Sequence, residues 1–127
     1  MNAAPGNPFG YSPPVWRLFN QTPRSGQLGE TGVRVAQAGS AASRGRLRLE
    51  VKMVQSRIAD ARFQAYGCPT TIAVGAWLAE WAVGRDWSEL SRIDAKTIRE
   101  ALEIPEDRLH CALLGEDALK SLRRSAS

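Results

Sequence analysis

Arg46-Leu47-Arg48-Leu49-Glu50-Val51-Lys52-Met53 alternates without a break, Leu47, Leu49, Val51 and Met53 against Arg46, Arg48, Glu50 and Lys52. Successive side chains of a strand point to opposite faces, so this period of two predicts a half-buried β-strand. Downstream, Ile58 to Tyr66 repeats the pattern, with Ala61, Phe63 and Ala65 set against Asp60, Arg62 and Gln64. The short Gln55-Ser56-Arg57 link makes the two an antiparallel hairpin. Upstream, residues 27–46 are rich in Gly, Ser and Ala. Val33-Arg34-Val35-Ala36 reads as a short strand within them, and residues 38–45 as a mobile loop.

Helical signals flank this sheet. Ser12-Pro13-Pro14 is an N-cap followed by prolines in a first turn, and the helix is expected to stop near Thr22-Pro23. After Gly67-Cys68, Pro69 suits a first helical turn and makes Cys68 the cap. The apolar run from Ile72 to Val83 predicts a helix in contact on several sides, ending at Gly84. Asp86-Trp87-Ser88-Glu89 has the form of a capping box. Asp94 is placed to cap another helix, closed by Ile104-Pro105. A last helix starts near Leu109, with Leu114, Ala118 and Leu122 on one stripe and Lys120, Arg123 and Arg124 near its end. Strands followed only by helices predict an α+β fold, a three-stranded antiparallel sheet with helices packed on one face.

The chain has 127 residues, enough for one core. Residues 1–10 are expected to be a disordered tail and 11–127 a single domain. A membrane span needs about 20 apolar residues, so the stretch ending at Val83 is expected to be buried in protein. The opening residues carry no basic start and no apolar run, so the cytoplasm is the expected compartment, with reduced thiols. The net charge of +4 resides in the first half: residues 1–60 hold eight Lys/Arg and three Asp/Glu, and the remainder nine and ten. That bias fits an acidic partner. Nucleic acid is not expected, because no aromatic residues interleave with Arg44, Arg46 and Arg48 and no groove-reading motif is present.

Chemistry concentrates on the two cysteines. Cys68 opens one predicted helix, and Cys111 follows the only histidine, His110, at the start of another. Unpaired N–H groups at a helix start favour thiolate, the form that binds metal or carries sulfur. A bland alternative stands beside each residue. Free cysteine packs well as a small hydrophobe, Cys111 lies one turn before Leu114 on an apolar stripe, and a lone histidine is commonly structural or exposed. Trp77, Trp81 and Trp87 read as core.

Several runs resemble the IscU/NifU-type iron–sulfur cluster assembly scaffolds. They are Tyr11 to Arg24, Leu47 to Lys52, Ile58 through Tyr66-Gly67-Cys68, Glu80-Trp81 with Gly84, and His110-Cys111 through Ala118. The resemblance implies a non-enzymatic scaffold with Cys68, His110 and Cys111 as metal ligands and Cys68 and Cys111 as cluster ligands. It implies a cysteine desulfurase and apo-protein acceptors as partners. The family pattern has a further Cys-Gly-Asp turn before the second strand. Counting back from Leu47, its cysteine falls on Ser43 and its aspartate on Gly45. A [2Fe–2S] cluster normally takes four protein ligands. Three therefore imply a transient or intersubunit cluster in a homo-oligomer, or zinc, with Ser43 a weak loop contributor. The family's chaperone-read segment Leu-Pro-Pro-Val-Lys is here Ile104-Pro105-Glu106-Asp107-Arg108, so recognition by that chaperone is not expected. Arg44, Arg46 and Arg48 form a basic row, either a solvated face or a docking site for an acidic sulfur donor. Two other functions remain in view: a persulfide carrier, and a degenerate partner-binding module of the same fold.

Overall fold

The computed structural model describes residues 10–29, 32–40 and 45–125. Helix α1 spans Pro13–Gln21, and strands β1, β2 and β3 span Val33–Ser40, Gly45–Val54 and Arg57–Tyr66. Helices α2, α3 and α4 cover Pro69–Ala82, Ala95–Leu102 and Leu109–Arg124. Short 3-10 turns at Trp87–Arg92 and Glu106–Arg108 precede α3 and α4 respectively. The strands form an antiparallel sheet in the order β1-β2-β3, with Leu49 opposite both Ala36 and Phe63. Helices α2 and α4 lie on the sheet, α1 packs on α2, and α3 packs on α4. The expected α+β architecture is the observed one.

The alternation of β2 sorts its residues as read: Leu47, Leu49 and Val51 are buried under the helices. Small residues set how closely the helices approach. A Cβ on Gly75 of α2 would come within 2.5 Å of the Phe63 ring, and one on Gly115 of α4 within 2.6 Å of Val74 Cγ1. The predicted caps are in place. Ser12 Oγ accepts from Val15 N and donates to the Leu102 carbonyl at 2.6 Å, tying α1 to α3. Asp86 and Glu89 make the reciprocal capping box, and Asp94 caps α3. No described helix is long and apolar enough to cross a membrane.

Two expectations need correction. Strand β1 runs on to Ser40 instead of ending at Ala36, and β2 begins at Gly45, so residues 38–40 and 45 are paired strand, not loop. Gly39, at φ 80°, lies so close to Gly45 that a Cβ there would collide with the Gly45 carbonyl oxygen. Composition that resembles a loop here permits a close backbone contact. Glu50, expected on the solvated side of β2, is 4% exposed. The chain after α1 pairs with β3 through the Arg24 carbonyl and the Gly26 N–H, both bonded to Phe63. It then crosses the outer sheet face, where Leu28 N donates to Glu50 Oε1 at 3.1 Å. Arg48 donates to the other carboxylate oxygen at 3.0 Å. Residues 1–9 of the expected tail, as well as Ser43 and Arg44, lie outside the described residues.

Candidate functional site

Strand β3 ends at Tyr66, the chain turns at Gly67 (φ 146°), and Cys68 becomes the N-cap of α2 ahead of Pro69. The Cys68 sulfur forms no capping hydrogen bond of full strength; it faces the N–H groups of the first turn of α2 together with the Thr71 hydroxyl and Cys111. Cys111 occupies the first turn of α4, fully buried. Packing of α4 against α2 brings the two Sγ atoms to 3.8 Å. Thr71, one turn into α2, places its hydroxyl 3.4 Å from Cys111 Sγ and 3.7 Å from Cys68 Sγ.

This contact divides the two thiols electrically. The hydrogen bond between the two sulfurs is the largest influence on Cys68 and draws its pKa down, to about 4, against the opposing effect of burial. The N–H groups of Thr71 and Thr70 and the Thr71 hydroxyl add to the lowering. The same bond, with burial, pushes the Cys111 thiol far up. Both directions favour the thiolate on Cys68, with the proton of the pair on Cys111. For Arg108, burial opposes the charged form, but interaction with the Cys68 sulfur outweighs it and raises the arginine pKa. The guanidinium also lies 5.2 Å from the centroid of the Tyr11 ring, which links α1 to this corner.

Cys68 lines a recess of about 310 Å³ with Asp107, Arg108 and His110. His110 is exposed at its rim and also borders a second recess of about 230 Å³, with Gly39, Gly45, Thr71, Leu113, Leu114 and Asp117. The fold thus unites Cys68 with Cys111 and places His110 beside Cys68 on the surface. Among the described residues, no three His, Cys, Asp or Glu side chains form a metal-holding group. Arg46 is exposed, and Arg48 is ion-paired to Glu50 at 3.0 Å. Both border a further recess of about 230 Å³ with Gln37, Gln64, Ala65 and Tyr66, a residue 65% exposed. Thr71 is a site residue that no motif in the sequence marks. Its spacing three residues after an N-cap cysteine was the available signal.

A family profile described as "NifU-like N terminal domain" matches residues 10–122. The chain belongs to the NifU-like N-terminal domain family. A nitrogen fixation protein NifU from a Nostoc species is 36% identical over 119 residues, covering 87% of this chain and 40% of that protein. The iron–sulfur cluster assembly scaffold protein IscU of Escherichia coli is 38% identical over 76 residues, 59% of each chain. The chain thus spans well under two thirds of either relative's length. A nitrogen-fixing NifU-like protein (N-terminal) from Brucella abortus superposes with a TM-score of 0.72 at 19% identity, over 89% of this chain and 91% of that one. At that identity the likeness establishes the shared fold.

Proposed function

We propose that this NifU-like domain serves iron–sulfur cluster assembly as a scaffold: Cys68 accepts sulfur as a thiolate, and Cys68 and Cys111 together present two sulfur ligands to iron. The observation that carries this reading is the 3.8 Å separation of the two sulfurs. A tetrahedral ion with metal–sulfur bonds of about 2.3 Å holds its two thiolates about 3.8 Å apart, so the pair already has the sulfur–sulfur spacing of a one-metal chelate, and binding requires Cys111 to lose its proton and open toward the recess. Iron and sulfide are cargo in this scheme, and the protein carries them with no turnover of its own. His110, at the recess rim, is the nearest imidazole to supply a further ligand once cargo enters. Zinc, bound by the same two sulfurs, is the competing occupant.

Arg46, with Arg48 and Tyr66 beside it, is proposed to dock an acidic face of the sulfur donor, a cysteine desulfurase. Strand β2 begins and strand β3 ends at this edge of the sheet, two residues before Cys68. Apo-proteins are the expected recipients of the finished cluster.

Anaerobic reconstitution with ferrous iron and sulfide tests the proposal. Visible absorption with bound iron and sulfide, lost in Cys68→Ala and reduced in Cys111→Ala, is the expected result. A colourless, iron-free product from the unaltered chain would refute it.

A further inference from the structure

We propose that Cys111 resolves a persulfide formed on Cys68, releasing sulfide and closing a Cys68–Cys111 disulfide. This step rests on the reading of Cys68 as the sulfur acceptor. Its basis is the two-sided environment of the Cys68 sulfur. On one side lies Cys111 Sγ, at a contact distance of 3.8 Å, fully buried and not part of the recess wall. On another lies the Thr71 hydroxyl at 3.7 Å. The open side is the recess bounded by Asp107, Arg108 and His110.

A sulfur added to Cys68 occupies that open side, away from Cys111. Displacement at sulfur runs in line, with nucleophile and leaving group on opposite sides of the atom attacked. Which sulfur is attacked decides the product. Cys111 touches the inner sulfur, so the outer one leaves. The persulfide of Cys68 and the thiol of Cys111 give one Cys68–Cys111 disulfide and one molecule of hydrogen sulfide. The bond between Cys68 Sγ and the outer sulfur breaks, and its electron pair leaves with that sulfur. The new bond joins the two Sγ atoms, and the Cys111 proton leaves with the sulfide. The sulfane sulfur is reduced and the two cysteine sulfurs are oxidised, so no outside reductant takes part. Arg108 places positive charge in the recess where hydrosulfide forms, close enough that its guanidinium already interacts with the Cys68 sulfur. The chain has two cysteines, so one round consumes both thiols, and a dithiol reductant is needed before the next.

Treating the reduced, anaerobic protein with a small excess of inorganic polysulfide, followed by desalting, intact mass measurement, thiol alkylation and sulfide assay, tests the step. The unaltered chain is expected to release about one sulfide per chain beyond that liberated by transfer from the polysulfide itself, lose two hydrogens in mass and, after denaturation, resist alkylation at both cysteines. Cys111→Ser, with Cys111→Ala as a second variant and circular dichroism to establish folding, is expected to keep one added sulfur on Cys68 and to release only the sulfide that transfer from the polysulfide itself liberates. An unaltered chain that retains a stable sulfur adduct with Cys111 still alkylatable would overturn the resolving step and leave sulfur acceptance standing. Equal sulfide release from folded Cys111→Ser would overturn it as well. No adduct on Cys68 in any variant would overturn the acceptor reading together with the step that depends on it.

Discussion

The sulfurs of Cys68 and Cys111 touch at 3.8 Å across 43 positions of sequence, because two helix starts meet where α4 crosses α2. That crossing depends on Gly115, one turn after Cys111, where a Cβ would run into Val74 and Ile98. In Gly115→Ala the new methyl would lie 2.6 Å from Val74 Cγ1 and force the helices apart. Overpacking of this kind costs about 1–3 kcal/mol. The variant should melt earlier, and its Cys68 should lose thiolate character as Cys111 retreats. Unchanged stability together with unchanged Cys68 reactivity would show that the close approach is dispensable.

Cys68 reactivity should depend unusually little on pH. Its pKa of about 4, set first by the Cys111 hydrogen bond, keeps it a thiolate throughout the neutral range. Alkylation by iodoacetamide should therefore be flat between about pH 6 and 8. An ordinary thiol, with a pKa near 8.5, gains about tenfold per unit there. In Cys111→Ala the chief lowering influence is gone, the pKa rises, and the rate at pH 6 should fall while regaining a slope. A steep profile in the unaltered chain would contradict the assignment.

Glu50 pins the segment that crosses the outer sheet face. Glu50→Ala removes the acceptor for Leu28 N–H and for Arg48 at once. Both donors are only partly buried and can turn to water, so the lost bonds cost about 1 kcal/mol each. Amide exchange at Leu28 should accelerate in this variant, while Glu50→Gln, which keeps an acceptor oxygen, should fall between. Protection equal to that of the unaltered chain in Glu50→Ala would place the strap's hold elsewhere.

Arg46 offers a charge test of docking. Arg46→Glu should slow sulfur transfer from a cysteine desulfurase several-fold and weaken its dependence on salt, as expected for a reversed rim charge. Transfer from inorganic polysulfide should be unaffected. Equal slowing with both donors would place the effect at Cys68 itself.

Much of this molecule was legible in its residues. Strands β2 and β3 announced themselves through alternation, and Ser12, Asp86 and Asp94 marked real helix starts, because caps and periodicity are local properties. The far end of β1 was not legible. Ala38-Gly39-Ser40 has the composition of a loop, and its pairing with β2 depends on a glycine–glycine approach that no local pattern reveals. Glu50 looked solvated because alternation reports sides of a strand, not what later crosses them. Cys68 and Cys111 were identifiable as chemistry-bearing residues, and resemblance linked them, but their separation depends on how α2 and α4 pack. His110 proved to be a surface residue at the rim beside Cys68, a position its neighbour's burial could not fix.

The most direct test of the paired-sulfur site is anaerobic titration of the reduced chain with cobalt(II), a tetrahedral probe that needs no added sulfide. Thiolate-to-cobalt charge-transfer absorption is expected, saturating at one metal per chain and strongly diminished in both Cys68→Ala and Cys111→Ala. A spectrum without thiolate bands, or one that survives intact in both variants, would contradict that site.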